Sequence, residues 1–387
     1  MLDRSKVIIA GAGGIGRAVG LILADSPGID AEIYIGDMDK SVAQNIAQWI
    51  REGSSTVCPV EGFEIDRSTL SNEMDYVFHS GDILLDCLPG DQAPRMASYA
   101  LKYNMHYVNL TEYVRETEEI MQMAAQSNKA FVLQSGLAPG YINILAHKLY
   151  KDFTRDFQDI SVDAIKMRVG ALTRHVEAPH YYAFTWSPVG VATEYNNDAY
   201  VLRNGRITTV PALSGTTSRI IDGISYEEDY TSGGAADLPQ FFEGKVSSLD
   251  YKTIRYPGHY NWVREQLAQC NQEHKTMELL ERMLQSVPFL DEDLIVIYAS
   301  VTGRDRNGQL RQYEKAQSIS PMTVGSHRLK AIQVTTAAPM LEAARIVLKS
   351  GYQGIVLQSR LDPDDFLSGP FIQQVFRQNS KSHKVDA

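Results

Sequence analysis

Three glycines with the spacing G-x-G-x-x-G, at Gly11, Gly13 and Gly16, follow the first apolar run of the sequence. This spacing, after a strand pattern and at the start of a helix pattern, is typical of a loop that binds a dinucleotide pyrophosphate. The glycines allow a tight turn, close approach of the phosphates and close packing of helix on strand, and helix-terminal N–H groups then face the phosphates. The loop therefore predicts a nucleotide site that includes Gly14 and Ile15, the alternative being a tight turn without ligand.

An acidic residue lies where a dinucleotide-binding unit needs one. Asp37 is 21 residues beyond Gly16 and ends the second strand pattern. Its carboxylate could accept hydrogen bonds from the adenosine ribose diol and would repel a 2′-phosphate. Met38 follows it, in place of an arginine that could pair with that phosphate. We therefore expect NAD as the cofactor, with NADP less favoured, unless Asp37 is only a capping or surface residue.

Two further loops of the first part of the chain are candidates for cofactor contacts. Asp66 follows the third strand pattern, where it could reach the adenine amine or serve as an ordinary loop aspartate. Leu88 and Pro89 end the fourth strand pattern. Because ligands of doubly wound sheets lie over the carboxyl ends of the strands, this second loop is expected to line the cofactor cleft.

A rigid turn follows the last strand pattern of this part of the chain. Gly136, Ala138 and Pro139 lie in the segment GLAPG (136–140), which opens a helix that carries Asn143. Backbone N–H groups of this turn could hold the nicotinamide carboxamide or a substrate carboxylate, and Asn143 is a candidate substrate contact. The alternative is a hinge between domains, and the two interpretations are compatible.

The densest group of reactive side chains is KTIRYPGH (252–259), which contains Lys252, Arg255, Tyr256 and His259 around a Pro-Gly turn. A guanidinium can clamp a carboxylate through two hydrogen bonds. An imidazole titrates near neutrality and suits proton transfer, and a phenol can hydrogen-bond a reacting group. The alternative is a strand-end turn with solvated cations and a packed aromatic ring.

Other candidates are more isolated. Trp186 and Ser187 could line a substrate chain, and Glu194 could bind an ammonium group; the alternative is an aromatic core anchor and a surface acid. Glu112 follows the fifth strand pattern and could either face the cleft or cap the next helix. The histidines do not have the spacing of a zinc site, so no metal is expected.

The elements that must position these residues alternate in the first part of the chain. Short apolar runs predict strands, and the segments between them have helical spacing. This alternation predicts an α/β protein whose N-terminal domain is a Rossmann fold with a doubly wound parallel sheet. The predicted strands are Lys6–Ala10, Glu32–Gly36, Val60–Ile65, Ile83–Leu88, His106–Leu110 and Ala130–Gln134. The predicted helices are Arg17–Ala24, Ser41–Arg51, Gln92–Tyr103 and Glu116–Ser127.

The pattern changes after residue 136. Strand-like runs dominate from about Ile160 to Val210, including HYYAFTW (180–186) and a hairpin signal at Asn204-Gly205. With a further strand at Leu294–Thr302, they predict a second α+β domain with a mixed, largely antiparallel sheet. Pro339–Lys349 is predicted to be a final amphipathic helix.

Composition excludes several classes of protein. The 387 residues are 44% hydrophobic and carry a formal net charge of −10, which argues against a general nucleic-acid binder. Three distant cysteines give no disulfide framework or CxxC motif, so a reducing, cytoplasmic setting is expected. No stretch has the length and apolarity of a membrane span, and the N-terminus lacks the pattern of a signal peptide.

Six segments carry a resemblance to a known family, and those with Ala-Pro-Gly and Tyr-Pro-Gly-His are more specific than the generic glycine loop. They are GAGGIGRAV (11–19), DILLDCLPG (82–90), GLAPGYINILA (136–146), FTWSPVGVATEY (184–195), YTSGGAADLP (230–239) and KTIRYPGH (252–259). Through these segments the chain resembles the saccharopine dehydrogenase-like family, which includes saccharopine reductases and lysine 6-dehydrogenases. The resemblance implies a Rossmann domain at 1–138, a substrate-binding and dimerisation domain at 139–330, and a C-terminal helical segment at 331–387 that returns to the first domain.

The resemblance also implies an activity: NAD(P)-dependent oxidoreduction at the C–N bond of an amino acid, by hydride transfer at the amine-bearing carbon through an imine. Lysine is the first expected substrate, then saccharopine, then a carboxylated polyamine precursor. In this interpretation Arg255 binds the α-carboxylate of the substrate, and proton transfer is assigned to His259, Tyr256 and Glu112. A homodimer is implied as well. The alternative is a dinucleotide-binding sensor or scaffold without catalysis.

Overall fold

The structure is a computed structural model that describes residues 4–111, 114–157 and 161–377. It divides into two compact units. Unit 1 is formed by the described residues of Met1–Tyr141, Met322–Leu329 and Gln333–Gln378, and unit 2 by those of Ile142–Pro321 and Lys330–Ile332. Among the described residues, no helix is long and apolar enough to cross a membrane.

Unit 1 is built on a seven-stranded parallel sheet with the order β17-β6-β5-β4-β1-β2-β3. Its strands are β1 (Ser5–Ala10), β2 (Ala31–Asp37), β3 (Val60–Glu64), β4 (Ile83–Asp86), β5 (His106–Asn109), β6 (Ala130–Val132) and β17 (Gly354–Val356). The order reverses between β1 and β4, and this reversal opens a crevice at the carboxyl ends of these two strands. The predicted Rossmann domain is confirmed.

The helices of unit 1 connect these strands. They are α1 (Gly14–Asp25), α2 (Lys40–Gly53), α3 (Asn72–Ser80), α4 (Ala93–Lys102) and α5 (Val114–Ala124). A small hairpin of β15 (Met322–Val324) and β16 (His327–Leu329) precedes the last helices, which are α11 (Ala331–Lys349), α12 (Pro363–Ser368) and α13 (Pro370–Phe376). The helix α3 was not predicted, because its sequence carries no strong apolar repeat.

Two expectations for the C-terminal part of unit 1 are wrong. The helix predicted to begin at Pro339 begins at Ala331 and contains Pro339 in its interior. It is buried on nearly all sides rather than amphipathic, and two short helices follow it. The strand β17 was not predicted because three residues are too few to show a period, yet it completes the parallel sheet beside β6.

Unit 2 contains the predicted mixed, largely antiparallel sheet, in the order β10-β11-β12-β7-β13-β14 with β8 and β9 attached at β12. Only β7 and β12 run parallel to each other among its described strand pairs. The strands are β7 (Ser161–Thr173), β8 (Ala199–Arg203), β9 (Arg206–Val210), β10 (Thr217–Ile221), β11 (Ile224–Tyr230), β12 (Val246–Arg255), β13 (Asp293–Arg304) and β14 (Leu310–Ile319).

The predicted hairpin at Asn204-Gly205 is confirmed, since both residues have positive φ between β8 and β9. The segment HYYAFTW is not a strand, although its aromatic residues suggested one. Tyr182 and Phe184 pack instead into an aromatic layer with the helices α7 (Pro188–Glu194), α9 (His259–Leu267) and α10 (Lys275–Ser286). The remaining helices of this unit are α6 (Tyr141–Asp156) and α8 (Leu238–Phe242).

Candidate functional site

The glycine loop connects β1 to α1 at the crevice of the unit 1 sheet. Gly11 has a φ of +103°, and a Cβ there would lie 3.0 Å from the carbonyl oxygen of Cys87. A Cβ on Gly16 would lie 1.7 Å from the carbonyl oxygen of Gly11, so neither position tolerates a side chain. Gly13 differs, because it is exposed and its Cβ would meet nothing within 4 Å. The loop therefore leaves open space where a pyrophosphate would approach, as the sequence predicts.

A distant side chain holds the start of α1 in place. Gly14 begins this helix, and its carbonyl oxygen accepts a hydrogen bond of 2.8 Å from the side-chain amide of Gln333 on α11. Ile15 follows it and is half-buried. Gln333 lies more than 300 residues away in sequence, so no local pattern could have identified it as a support for this loop.

The carboxylate of Asp37 is fixed beside the glycine loop. One oxygen accepts a hydrogen bond of 3.1 Å from the backbone N–H of Ala12, and the other accepts one of 3.2 Å from that of Asp39. Asp37 ends β2, the strand next to β1, so its side chain lies at the carboxyl edge of the sheet. These residues fit an adenosine ribose and a pyrophosphate: the loop has open space, and the acid is held beside it.

The residues after β2 and β3 meet at the same edge. Met38 is exposed, and its sulfur contacts the guanidinium of Arg67. Arg67 was not predicted as a site residue, because it lies 29 residues after Met38. Asp66 uses one carboxylate oxygen to accept hydrogen bonds of 2.8 Å from the N–H groups of Ser68 and Thr69, and these lower its pKa to about 2. Asp66 thus stabilises its own turn in this structure.

The loop after β4 lines the crevice on its other side. Leu88 donates its N–H to a carboxylate oxygen of Asp86 at 3.0 Å, and Pro89 begins the short turn that follows. Asp86 is buried at the carboxyl end of β4 and also accepts a hydrogen bond of 2.7 Å from the hydroxyl of Tyr107. Burial raises the pKa of Asp86 to about 6, although these hydrogen bonds oppose the shift.

The GLAPG turn closes on itself within unit 1. The N–H of Gly136 donates to the carbonyl of Pro139 at 3.0 Å, and the N–H of Tyr141 donates to the carbonyl of Gly136 at 2.8 Å. Gly140 has a φ of +130°, and the peptide bond between Ala138 and Pro139 is cis. The two hydrogen bonds close the turn, which fits both interpretations made from the sequence.

In unit 2, β12 ends with Arg255, whose side chain is almost completely buried. Its Nε donates to the hydroxyl of Tyr195 at 2.7 Å, and one terminal nitrogen donates to the carbonyl of Ile254 at 2.9 Å. The guanidinium lies 4.8 Å from the centre of the Tyr182 ring. Within the described residues, no carboxylate forms an ion pair with Arg255.

His259 continues this set of hydrogen bonds. Its Nδ1 lies 2.7 Å from the carbonyl oxygen of His180, so Nδ1 is the protonated nitrogen and Nε2 is an acceptor. Tyr195 donates its hydroxyl proton to Nε2 at 2.9 Å, while its oxygen accepts from Arg255. Burial, and then the charge of Arg255, lower the pKa of His259 to about 3. The imidazole is therefore neutral at pH 7 and holds Tyr195 in one orientation.

The structure separates the members of the KTIRYPGH segment. Side chains alternate along β12, so Arg255 points toward the helices, whereas Tyr256 packs with Tyr226 on the opposite face of the sheet. The Tyr256 hydroxyl donates to the carbonyl of Thr173 at 3.1 Å. Lys252 is buried on this opposite face and donates to the carbonyl of Gly215. The segment thus brings Arg255 and His259 together and leaves Tyr256 apart.

The other predicted substrate contacts lie around the helices of unit 2. Ser187 caps α7 by accepting from the N–H of Gly190 at 3.2 Å, and the ring of Trp186 packs over Gly190. Glu194 ends α7 and interacts electrostatically with Arg255. Asn143 is buried on α6 and donates to the carbonyl oxygen of Gly234 at 3.0 Å. Glu112 lies outside the described residues.

Two tyrosines complete this cluster, and of these Tyr182 was not predicted as a site residue from the sequence. Tyr195 joins Arg255 to His259, as described above. Tyr182 is buried, and its hydroxyl lies close to Trp186, whose indole N–H can only donate, so the described residues provide no acceptor for the hydroxyl proton. A buried hydroxyl of this kind is costly unless a ligand or water satisfies it. Tyr195 directly follows Glu194 in sequence, so its place at the end of a short helix was the available signal.

In the part of the chain that the structure describes, no group of three or more His, Cys, Asp or Glu residues could hold a metal ion. The parallel sheet, the open glycine loop and the anchored Asp37 define a dinucleotide-binding protein of the Rossmann class, with a second α+β unit that carries a buried arginine.

Comparison with known families agrees with this class. A model of the saccharopine dehydrogenase NADP-binding domain matches residues 7–133, and a model of the saccharopine dehydrogenase C-terminal domain matches residues 136–377. The chain therefore belongs to the saccharopine dehydrogenase family. The resemblance seen in the sequence motifs is confirmed.

Among curated proteins, the chain is similar to the mitochondrial alpha-aminoadipic semialdehyde synthase of Rattus norvegicus. The two are 24% identical over 212 residues, which are 54% of this chain and 22% of that relative. The chain thus matches only about a fifth of the length of this larger protein.

Two solved structures share the fold. Apo saccharopine dehydrogenase (L-Glu forming) from Saccharomyces cerevisiae has a TM-score of 0.75 at 14% identity, covering 96% of this chain and 98% of that one. Homospermidine synthase from Legionella pneumophila, in complex with NAD, has a TM-score of 0.69 at 12% identity, covering 100% and 95%. At these identities the likeness concerns the fold.

Proposed function

We propose that this chain oxidises the C–N bond of an amino acid, or forms that bond in the reverse direction, with NAD as the preferred cofactor. Lysine is the first substrate to test, followed by saccharopine and a carboxylated polyamine precursor. The observation that carries the proposal is the buried guanidinium of Arg255, which has no carboxylate in an ion pair among the described residues. Its fixed charge suits a substrate carboxylate.

The surroundings of Arg255 support this role. Tyr182 and Tyr195 enclose the guanidinium, and the Tyr182 hydroxyl can donate one more hydrogen bond. Because the site is buried, a charge-assisted hydrogen bond there is worth more than one at the surface. Glu194 adds a negative charge close by, which suits the ammonium group of the same substrate.

His259 acts in this proposal as a positioning residue. Its lowered pKa and complete burial argue against proton exchange near neutrality, in contrast to the role expected from the sequence. It orients the Tyr195 hydroxyl, which in turn fixes the Nε of Arg255 and directs the remaining guanidinium N–H groups. Tyr256 and Glu112 stay candidates for proton transfer on sequence grounds alone.

In unit 1 the glycine loop would hold the pyrophosphate and Asp37 the adenosine ribose. When bound, the nicotinamide accepts or donates the hydride. The chain contributes binding through Gly13, orientation through the loop after β4, and a GLAPG turn closed by backbone hydrogen bonds.

The test is NAD reduction, followed at 340 nm and mildly alkaline pH, with lysine and saccharopine in parallel and NADP as a second cofactor. Turnover with one amino acid that falls at least about a hundredfold in Arg255→Gln supports the proposal. A matched control is Arg264→Gln, which removes an arginine of the same unit that is paired with Asp229. Silence with every amine substrate, while NAD still binds, would favour the non-catalytic alternative.

We also propose a homodimer formed through the unit 2 sheet. Asn143 on α6 contacts Met167 and Tyr195 after α7 contacts Arg255, so these two side chains lie on the sheet face that carries Met167 and Arg255. The opposite face carries an apolar cluster that includes Tyr226 and Tyr298, with Ile224 exposed beside it. Light scattering after size exclusion should give twice the chain mass of 43.2 kDa, and Ile224→Glu should lower it.

A further inference from the structure

We propose that Arg67 is a specificity-determining residue that allows the site to bind NADP as well as NAD, by pairing with the adenosine 2′-phosphate. This inference rests on the proposed cofactor site of unit 1. It changes the expectation drawn from the sequence, where the absence of an arginine directly after Asp37 argued against NADP.

The sheet brings Arg67 to the ribose end of the site. The strands β2 and β3 are parallel neighbours, and Asp37 is in register with Glu64. The loops that follow them therefore leave the same edge of the sheet. Met38 begins one loop and Arg67 lies in the other, and the guanidinium contacts the Met38 sulfur. A different part of the chain thus supplies a cation at Met38, the residue that follows Asp37.

The charge of Arg67 is available to a ligand. In the described part of the chain, its guanidinium contacts the Met38 thioether and forms no ion pair with a carboxylate. A thioether is a weak acceptor that a phosphate oxygen readily replaces. The nearby cation Lys40 differs, because its Nζ is paired with Glu73 at 2.7 Å. The exposed turn of Asp66 carries Arg67 and leaves its side chain accessible.

Asp37 has the opposite effect to Arg67 on the affinity for NADP. Both of its carboxylate oxygens accept backbone N–H groups, so this negative charge stays beside the loop. A 2′-phosphate would be repelled by Asp37 and attracted by Arg67, whereas a ribose diol needs only Asp37. The balance of these two residues would set the ratio of NADP to NAD affinity.

The experiment is calorimetric titration of the full chain with NAD⁺ and with NADP⁺, for the wild type, Arg67→Ala and Arg67→Lys. Wild type should bind both dinucleotides. In Arg67→Ala the Kd for NADP⁺ should rise about tenfold or more, as expected for one charge-assisted phosphate contact, with the Kd for NAD⁺ within about twofold. Arg67→Lys should retain part of the NADP⁺ affinity because it keeps the charge.

A matched control is Arg4→Ala, which removes the same charge at the amino end of β1, where Arg4 pairs with Asp30 at the surface. It should leave both Kd values unchanged. Equal weakening of both dinucleotides by Arg67→Ala, no weakening of NADP⁺, or a wild type that binds NAD⁺ but not NADP⁺ would overturn the inference alone. A wild type that binds neither dinucleotide would overturn the proposed cofactor site, and with it the inference.

Discussion

The cofactor loop of unit 1 occupies six consecutive residues, whereas the arginine cluster of unit 2 joins side chains from residues 180 to 259. In the loop, the proposed function depends on the backbone: Gly11 and Gly16 have no room for a Cβ, and Gly13 has open space. In the cluster, the proposed function depends on side chains that hydrogen-bond in a chain from Arg255 through Tyr195 to His259. A site made of backbone groups can be recognised from the spacing of residues in the sequence. A network of buried side chains is recognised only in the tertiary structure.

The first prediction tests the dependence of the loop on its backbone by adding one methyl group to it. Gly16→Ala would place a Cβ 1.7 Å from the Gly11 carbonyl oxygen, so the loop must move. We expect a loss of stability of about 3 kcal/mol and a loss of NAD affinity beyond detection. Thermal unfolding and calorimetric titration measure the two effects.

The matched variant Gly13→Ala separates folding from binding. Its Cβ meets nothing within 4 Å and its φ is −70°, so the melting temperature should equal that of the wild type. NAD affinity should still fall, because the methyl group takes the space of the pyrophosphate. Equal NAD affinity in Gly13→Ala and wild type would contradict the placement of the cofactor.

The second prediction concerns Arg255, whose replacement by Gln should lower kcat/KM by about a hundredfold or more. The cause is the loss of a fixed charge from a buried site, and NAD affinity should be unchanged because the cofactor loop belongs to unit 1. The control is Tyr298→Phe, on the opposite sheet face, which loses one hydrogen bond to Glu314 and should keep wild-type turnover. Similar losses in both variants would show that general damage to the sheet, rather than the charge, is responsible.

The third prediction uses the lowered pKa of His259, which is about 3 in the folded chain against an ordinary value of 6.5. Between pH 3 and pH 6.5 the unfolded chain binds one proton more than the folded chain at this histidine. The contribution of His259 to the free energy of unfolding is therefore complete above pH 6.5 and decreases as pH falls. The slope is at most about 1.4 kcal/mol per pH unit. Hydrogen exchange of the α9 amides, compared between wild type and His259→Gln at each pH, should show this slope in the wild type alone.

The smallest effect on stability is expected at Asp86, where the pH dependence is opposite to that of His259. Its pKa is raised from 3.8 to about 6, so its contribution is present below pH 3.8 and is lost as pH rises toward 6. Hydrogen bonds from Tyr107 and Leu88 limit the shift. Exchange of the β4 amides should slow on acidification in the wild type relative to Asp86→Asn. The same direction of change in β4 and α9 would contradict these opposed shifts.

Particular residues show which features of the structure could be predicted from the sequence and which could not. The glycine loop, Asp37 and the alternation of strands and helices are local patterns, and the structure has them where they were predicted. The helix α11 was placed too late because Pro339 looked like a helix start, whereas burial on nearly all sides stabilises a helix that continues through it. The segment 180–186 looked like a strand because aromatic residues favour strands, yet these rings are buried against helices.

By itself, the sequence determined the fold class, the cofactor loop and the acid at the end of β2, because each depends on spacing along one stretch of backbone. The tertiary structure alone decided which side chains meet. It placed Arg67 beside Met38, joined Arg255 to His259 through Tyr195, and put Tyr256 on the other sheet face. The physical reason is that contacts between distant residues follow from strand register and burial, which no local pattern records.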